Sequence, residues 1–198
     1  MMTDEGFRYA AIAIFIVGAL ISIRFRSRAE RRGQDKVSLA EEGLPMVLTL
    51  RLVGIALWLG VFAYMIEPRW MAWSRVALPE ALRWAGVVLG IVGDLLAWWV
   101  FSHLGHNVTP TVVTRPDAQL VTSGPYRWVR HPLYLMGLIG YIGFALLAEN
   151  AFIMVMTLLV FLLLVKRTTK EEAQLLLRFG DAYRDYMGRT GLFFPRLG

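Results

Sequence analysis

The sequence predicts an all-α integral membrane protein with about five transmembrane helices. Hydrophobic residues make up 57% of the 198 residues, the mean hydropathy is +0.51, and apolar runs recur along the whole chain. A helix needs roughly 20 apolar residues to cross the hydrocarbon core of a bilayer. Because five segments reach or approach that length, we expect one membrane domain over residues 1–198, with no separate soluble domain.

Three predicted helices occupy residues 1–101: Phe7–Ile23, Leu44–Ile66 and Leu82–Phe101. The first could be mistaken for a signal peptide. However, acidic residues precede it and no small-residue cleavage site follows, so a retained helix is expected. The third carries small residues at the spacing of close helix packing, namely Gly86, Gly90, Gly93 and Ala97.

One acid lies well inside the third predicted helix. Asp94 is seven residues from the cytoplasmic end of that helix, and Arg51 is seven residues from the cytoplasmic start of the second. Ionisable groups at membrane depth normally pair or serve a function. Equal depth on antiparallel neighbours therefore predicts an Arg51–Asp94 ion pair.

The region 102–198 begins with a turn-rich segment, followed by a short helical hairpin formed by Leu133–Ala148 and Ala151–Val165. Only Glu149-Asn150 separates its two arms. From Lys166 onward, apolar residues fall on one face and charges on the other, which predicts a cytoplasmic C-terminal amphipathic helix. We expect Gly188 and Gly191 to break it.

The net charge is +6, and its distribution predicts the orientation. Basic clusters follow the first and fifth helices and lie between the third and fourth. The positive-inside rule therefore places the N-terminus outside, and the C-terminus and the active site in the cytoplasm. The same clusters are explained by topology and contact with anionic lipid rather than by nucleic-acid binding.

Several chemistries are disfavoured by composition. There is no cysteine, which excludes a catalytic thiolate, a disulfide or an iron–sulfur site. The three histidines lack carboxylates at matching offsets, so no metal site is expected. Neither a nucleotide-binding loop nor a nucleophile elbow is present.

The most informative stretch runs from Gly124 to Tyr134. It places Arg130 and His131 directly before Pro132, which opens a strongly apolar segment. Proline is well tolerated in the first helical turn, where free N–H groups and the helix dipole favour an anion. An anion site at the edge of a bilayer is therefore expected.

A cationic counterpart follows on the other arm of the hairpin. Glu171 and Glu172 are ordinary first-turn acids if taken alone. A helix up and a helix back, however, bring residues 130 and 166 to the same end. A cation site beside an anion site suits a zwitterion such as the methionyl end of S-adenosylmethionine.

Three motifs resemble the isoprenylcysteine carboxyl methyltransferase and phospholipid methyltransferase superfamily. They are Leu104-Gly105-His106-Asn107-Val108-Thr109-Pro110-Thr111, then the stretch from Leu120 to Tyr134, then Glu171-Glu172 with the pattern that ends at Tyr186. The resemblance covers residues 98–195. It implies that residues 102–198 form a cofactor-binding methyltransferase-like region that binds S-adenosylmethionine. It also implies a lipid or prenylated acceptor arriving through the bilayer, with carboxylate O-methylation favoured.

The candidate site residues, taken from the residues themselves and from this resemblance, fall into two sets. The cofactor-binding set is His106, Asn107, Gly124, Pro125, Tyr126, Arg130, His131, Glu171, Glu172 and Tyr183. The catalytic set is His131, Tyr134, Glu172 and Arg189.

Two departures from the family bear on these assignments. His106 stands where relatives usually have arginine, and Leu192-Phe193-Phe194-Pro195 lacks the arginine that relatives often carry just before this ending. Arg189 is the nearest substitute. If that arginine orients the acceptor carboxylate, the departure argues against an isoprenylcysteine substrate.

The acceptor stays open among a prenylated cysteine, phosphatidylethanolamine, a small thiol and an isoprenoid acid. Two rival functions also stay open. One is an NADPH-dependent membrane reductase related to sterol reductases, and the other is a non-catalytic membrane partner protein.

Overall fold

The protein is described by a computed structural model that covers residues 3–30, 44–105 and 119–196. Those residues form α-helices, two short 3₁₀ helices (Pro68–Ser74 and Gly124–Arg127) and no β-strand. The α-helices are α1 (Asp4–Glu30), α2 (Leu44–Ile66), α3 (Glu80–Leu104), α4 (Pro132–Leu147), α5 (Ala151–Phe179) and α6 (Asp181–Arg189). The predicted all-α membrane fold is confirmed.

Four of the described helices, α1, α2, α3 and α5, are long and apolar enough to cross a membrane. The fifth apolar helix, α4, has 16 residues, so at 1.5 Å per residue it is about 24 Å long. That falls short of a hydrocarbon core of about 30 Å. The expectation of about five spans therefore depends on α4, the short arm of the hairpin.

The small residues of α3 form its contact with α4. A β-carbon at Gly86 would lie 2.5 Å from the Leu147 nitrogen, and one at Gly93 would lie 2.7 Å from the Gly140 Cα. A β-carbon at Gly143 would lie 2.6 Å from the Gly90 nitrogen. The backbones therefore touch, as the spacing in α3 predicts, and close packing of this kind stabilises helix pairs in lipid.

The hairpin turns at Glu149 and Asn150, as predicted. Glu149 has φ of 53°, and Asn150 accepts a hydrogen bond from the Ile153 nitrogen, which caps α5. Its amide donates to the Met71 oxygen and to Ser74 Oγ. The larger buried cluster of the molecule lies at this end, around Phe7, Val61, Tyr64, Phe144, Leu147 and Ile153.

The C-terminal amphipathic helix differs in detail from the prediction. It is not a separate helix that begins at Lys166, because α5 continues without interruption to Phe179. The break occurs at Gly180, whose φ of 53° and ψ of −126° suit glycine alone. Gly188 lies inside α6 and does not end it. A helix leaving the hydrocarbon can carry charges without ending, so the change in polarity at Lys166 marks no boundary.

The predicted Arg51–Asp94 ion pair is not formed among the described residues. Asp94 instead faces α1, where its Oδ1 lies 2.6 Å from the position that a β-carbon at Gly18 would occupy. Arg51 is exposed on α2. The prediction assumed that α2 and α3 are neighbours, whereas α3 packs on α4 and α1.

Candidate functional site

A tight turn positions the start of the candidate site. Gly124 opens the 3₁₀ helix Gly124–Arg127 with φ of +59°, and a β-carbon there would overlap the His103 ring. Pro125 and Tyr126 are buried in the same turn. These three members of the predicted cofactor-binding set therefore shape the approach to Arg130 by holding the turn against α3.

His131 precedes Pro132, the first residue of α4, as the sequence predicts. Its side chain does not cap the helix but lies between the two glutamates. Nδ1 is 3.5 Å from Glu171 Oε2, and Nε2 is 3.5 Å from Glu172 Oε1. Nε2 is buried and lacks a hydrogen bond of good geometry to any described residue. The ring therefore lies between the two carboxylates, and its Nε2 atom makes no hydrogen bond of good geometry to a described residue.

Arg130 joins the two arms of the hairpin. Its Nε donates to Glu172 Oε1 at 2.5 Å, and the two side chains are 11% and 15% exposed. Its Nη1 donates to the carbonyl oxygen of Thr190 at 2.5 Å and to that of Met187 at 3.3 Å. The guanidinium thus binds a carboxylate and the end of α6 at once.

Glu171 has a set of partners of its own. The hydroxyl of Tyr134 donates to its Oε1 at 2.5 Å, and Arg167 Nε lies 3.2 Å from the same oxygen. Arg167 is absent from the predicted site. The signal that could have found it is its position four residues before Glu171, which places the two side chains on one helix face.

Tyrosines of α6 close the side of the cluster. The Tyr183 hydroxyl is 3.5 Å from Glu172 Oε1, and burial, helped by the negative charge of Glu172, raises the pKa of Tyr183. Tyr186 donates to the carbonyl oxygen of Tyr126 at 2.6 Å, and burial raises the pKa of Tyr186 to about 12. Both phenols therefore stay protonated at neutral pH and act as hydrogen-bond donors.

The C-terminal segment packs directly on the site. The backbone nitrogen of Arg130 donates to the Gly191 oxygen at 2.9 Å, and that of His131 donates to the Leu192 oxygen at 3.1 Å. Phe193 is 9% exposed, and its ring centroid is 6.0 Å from that of His131. No sequence pattern predicts this contact, because a short strand-like pairing over three residues has no periodicity.

Three predicted site residues are not seen with this cluster. His106 and Asn107 lie outside the described residues. Arg189 is exposed at the end of α6, and its Nε donates to the carbonyl oxygen of Asp185 at 3.2 Å. It is therefore directed along its own helix.

The assembled cluster contains equal numbers of carboxylates and guanidiniums, with one imidazole between them. Glu171, Glu172, Arg130 and Arg167 are each at most 15% exposed at the side chain. Charges held in such a partly desolvated position interact strongly and favour ligands that match both signs. The site lies where α4 begins, beside the last turns of α5, at the end of the apolar bundle.

Comparison with known proteins gives consistent results. Residues 86–177 match the model of the isoprenylcysteine carboxyl methyltransferase (ICMT) family. A nickel-cobalt-cadmium resistance protein of Alcaligenes xylosoxydans xylosoxydans is 37% identical over 112 residues, which is 57% of this chain and 47% of that protein. The protein-S-isoprenylcysteine O-methyltransferase of Schizosaccharomyces pombe is 45% identical over 110 residues, 52% of this chain and 45% of the enzyme.

Among solved structures, the eukaryotic intramembrane Ras methyltransferase ICMT matches with a TM-score of 0.55 at 22% identity. The match covers 94% of this chain and 67% of the ICMT chain. At that identity the likeness concerns the fold. The chain spans about half the length of the curated relatives quoted above.

Fold and site together define an α-helical integral membrane protein with a buried, charge-balanced cluster at one end of its bundle. Within that class, residues 86–177 of the chain are similar to the isoprenylcysteine carboxyl methyltransferase family, as is the matched stretch of the Schizosaccharomyces pombe enzyme.

Proposed function

We propose that this chain binds S-adenosylmethionine at the Arg130–Glu172 cluster and methylates a lipid-like or prenylated acceptor drawn from the bilayer. The observation that carries the proposal is the 2.5 Å contact between Arg130 and Glu172. Two charges of opposite sign, from the two arms of one hairpin, meet at a single place.

The residues present fit the zwitterionic methionyl group of this cofactor. Removing one member of a buried ion pair is costly because it leaves a charge unpaired. A ligand that carries both a carboxylate and an ammonium avoids this cost, because it gives Arg130 and Glu172 new partners at the same time. His131 Nε2, buried with an unfilled hydrogen bond, adds a position for the ligand carboxylate.

When bound, S-adenosylmethionine would supply an electrophilic methyl group for an in-line displacement. The protein itself would mainly align the reactants and exclude water from the site, and it would contribute less by acid or base catalysis. Arg130 and His131 would hold the carboxylate, and Glu172 or Glu171 the ammonium or the ribose. Tyr126 and Tyr183 would shape the pocket, and Phe193 would shield it from water.

A carboxylate acceptor suits a site of this kind because it is already a nucleophile, whereas a lipid ammonium must first lose a proton. His131, Tyr134 and Glu172 are the groups that would receive such a proton. The names of the Schizosaccharomyces pombe and rat relatives, protein-S-isoprenylcysteine O-methyltransferase, support a prenylated acid. The basic clusters at the site end of the bundle support a cytoplasmic active site.

Arg189 is the weakest member of the proposed catalytic set. For it to orient an acceptor carboxylate, its side chain would have to leave the Asp185 carbonyl. The Arg189→Ala variant tests this role through the KM for the acceptor.

Cofactor identity is tested by thermal stability of the purified full chain in detergent. We expect S-adenosylhomocysteine to raise the Tm and NADPH to leave it unchanged, because only the cognate ligand stabilises the folded state. The Arg130→Ala and Glu172→Gln variants should lose the response. A response to NADPH alone would support the reductase alternative.

Acceptor identity is tested by product analysis. The protein is incubated with methyl-labelled S-adenosylmethionine and either a farnesylated cysteine peptide or a total membrane lipid extract. We expect a base-labile methyl ester as the labelled product. Because the Alcaligenes relative is named for resistance to nickel, cobalt and cadmium and not for a prenylated substrate, the lipid extract is as necessary as the peptide. Absence of label from both would contradict the proposal.

A further inference from the structure

A charged cavity lies at the end of the bundle opposite the candidate site. Its volume is about 430 Å³, within the usual range for small-ligand pockets. It is enclosed by the start of α1, the end of α2, the 3₁₀ helix Pro68–Ser74 and the hairpin turn. Four arginines line it, Arg8, Arg69, Arg75 and Arg83. Four acids also line it, Asp4, Glu5, Glu67 and Glu149.

The inner wall of this cavity is fixed by ion pairs. Arg83, 7% exposed, donates from Nη1 to Asp4 Oδ1 at 2.6 Å and from Nε to the Leu147 oxygen at 3.3 Å. Glu149, 4% exposed, accepts from Arg75 Nε at 2.9 Å and from the Leu78 nitrogen at 3.0 Å. These charge-assisted hydrogen bonds hold the wall in one arrangement.

The side chains at the mouth of the cavity are more exposed and make weaker ion pairs than those of the inner wall. The Arg69 side chain is 92% exposed, and its Nε is 3.8 Å from Glu67 Oε1, a separation at the limit of an ion pair. The outer edge of Arg75 is open as well, with its side chain 52% exposed. Asp4 stays 63% exposed despite its two arginine contacts. Groups of both signs can therefore accept a further partner at the rim.

The same 3₁₀ helix indicates the depth of the mouth in the membrane. Trp70 and Trp73 are 60% and 70% exposed. Exposed tryptophans near the ends of transmembrane helices lie at the level of the lipid headgroups. Arg69 adjoins Trp70, so the rim of the cavity opens where headgroups are found.

We propose that this cavity binds the headgroup of a zwitterionic phospholipid. The phosphate would lie on Arg69 and the open edge of Arg75, and the ammonium on Glu67 and Asp4. The balance of four arginines and four acids favours this ligand over an anionic headgroup, which has no cationic group to offer to Glu67 and Asp4. The proposal does not depend on methyl transfer at the other end of the bundle.

The test compares two lipids with the same acyl chains, phosphatidylethanolamine and phosphatidylglycerol, added to the full chain in detergent while its Tm is measured. We expect phosphatidylethanolamine to raise the Tm by about 3 °C more than phosphatidylglycerol. The Arg69→Gln and Glu67→Gln variants should each weaken the apparent affinity for phosphatidylethanolamine about tenfold. Glutamine at position 67 keeps an oxygen able to cap the 3₁₀ helix.

Arg24→Gln is the matched control, because Arg24 is an exposed arginine at the other end of α1, and this variant should respond as the parent does. Equal Tm shifts with the two lipids would overturn the proposal, as would unchanged affinity in both rim variants. An equal response to dissolved O-phosphoethanolamine at the same concentration would overturn the lipid as the ligand.

Discussion

Arg130 and Glu172 are separated by 42 residues in sequence, yet their side chains meet at 2.5 Å. Arg130 stands just before α4, whereas Glu172 lies late in α5, so the contact closes the open end of the hairpin. Because Arg130 also binds the Thr190 carbonyl, the same guanidinium ties down the C-terminal segment. We therefore expect this pair of side chains to govern both the stability of this end of the bundle and the proposed ligand binding.

Truncating either member of this pair should destabilise the protein. We expect Arg130→Met or Glu172→Met to lower the free energy of unfolding by about 3 kcal/mol, because each leaves a buried charge without its partner. The double variant should cost less than the sum of the two single variants, since no unpaired charge is left. The free energy of unfolding is measured in mixed micelles for the parent, the two single variants and the double variant. Strictly additive losses would show that the two side chains are not coupled.

Tyr134 should act through Glu171. Tyr134→Phe removes the hydroxyl that donates to this carboxylate, and a hydrogen bond to a charged group is worth about 1.5–3 kcal/mol. We expect the Tm response to S-adenosylhomocysteine to weaken, with helix content unchanged by circular dichroism. Tyr141→Phe, further along α4 and packed beside the core cluster, is the control. Equal Tm responses to S-adenosylhomocysteine in the two variants would show that Tyr134 has no role in the proposed binding site.

The contact between α3 and α4 should not tolerate a methyl side chain in place of a glycine hydrogen. In Gly143→Ala, the new β-carbon would lie 2.6 Å from the Gly90 nitrogen and 2.8 Å from the Gly86 oxygen. Backbone atoms cannot move aside cheaply, so we expect a loss of about 1–3 kcal/mol in the free energy of unfolding.

Gly137→Ala, on the same helix, is the matched control because nothing lies within 4 Å of its new β-carbon. It should be neutral or stabilise by about 0.5–1 kcal/mol, since alanine favours the helix. If both variants unfold at the same denaturant concentration, close backbone packing is not what holds α3 to α4.

The sequence was sufficient for features that follow from local composition. Long apolar runs predict α1, α2, α3 and α5, and the small residues of α3 predict a tightly packed face. Pro132 predicts the start of α4. Because the hairpin turn is only two residues long, its topology also predicts that Arg130 and Glu172 approach each other.

Features that depend on which helices are neighbours could not be predicted from the sequence. The prediction of an Arg51–Asp94 ion pair was wrong because two residues at equal depth in the membrane need not lie on neighbouring helices. Arg189, assigned as the nearest substitute for the arginine that relatives often carry before this ending, is directed along its own helix by its hydrogen bond to Asp185. The docking of Leu192 and Phe193 on His131 depends on the tertiary fold, and no local sequence pattern predicts it.

Phe193 should prove to be the residue that shields the cluster from water. It is 9% exposed and lies against His131 and Phe161, with ring centroids 6.0 Å and 5.3 Å away. Phe193→Ala should lower the free energy of unfolding by about 3 kcal/mol. Methyl transfer should fall further than the folded fraction does, because water that reaches His131 and Glu172 weakens their hold on an ionic ligand.

Phe194→Ala provides the control, because this neighbouring ring is 74% exposed and its loss removes little buried surface. The two variants are compared at a temperature where both remain folded by circular dichroism, with the S-adenosylhomocysteine affinity and the methyl-transfer rate measured for each. If Phe193→Ala binds the ligand and turns over as Phe194→Ala does, the C-terminal segment serves to hold α6 in place and has no part in excluding solvent from the site.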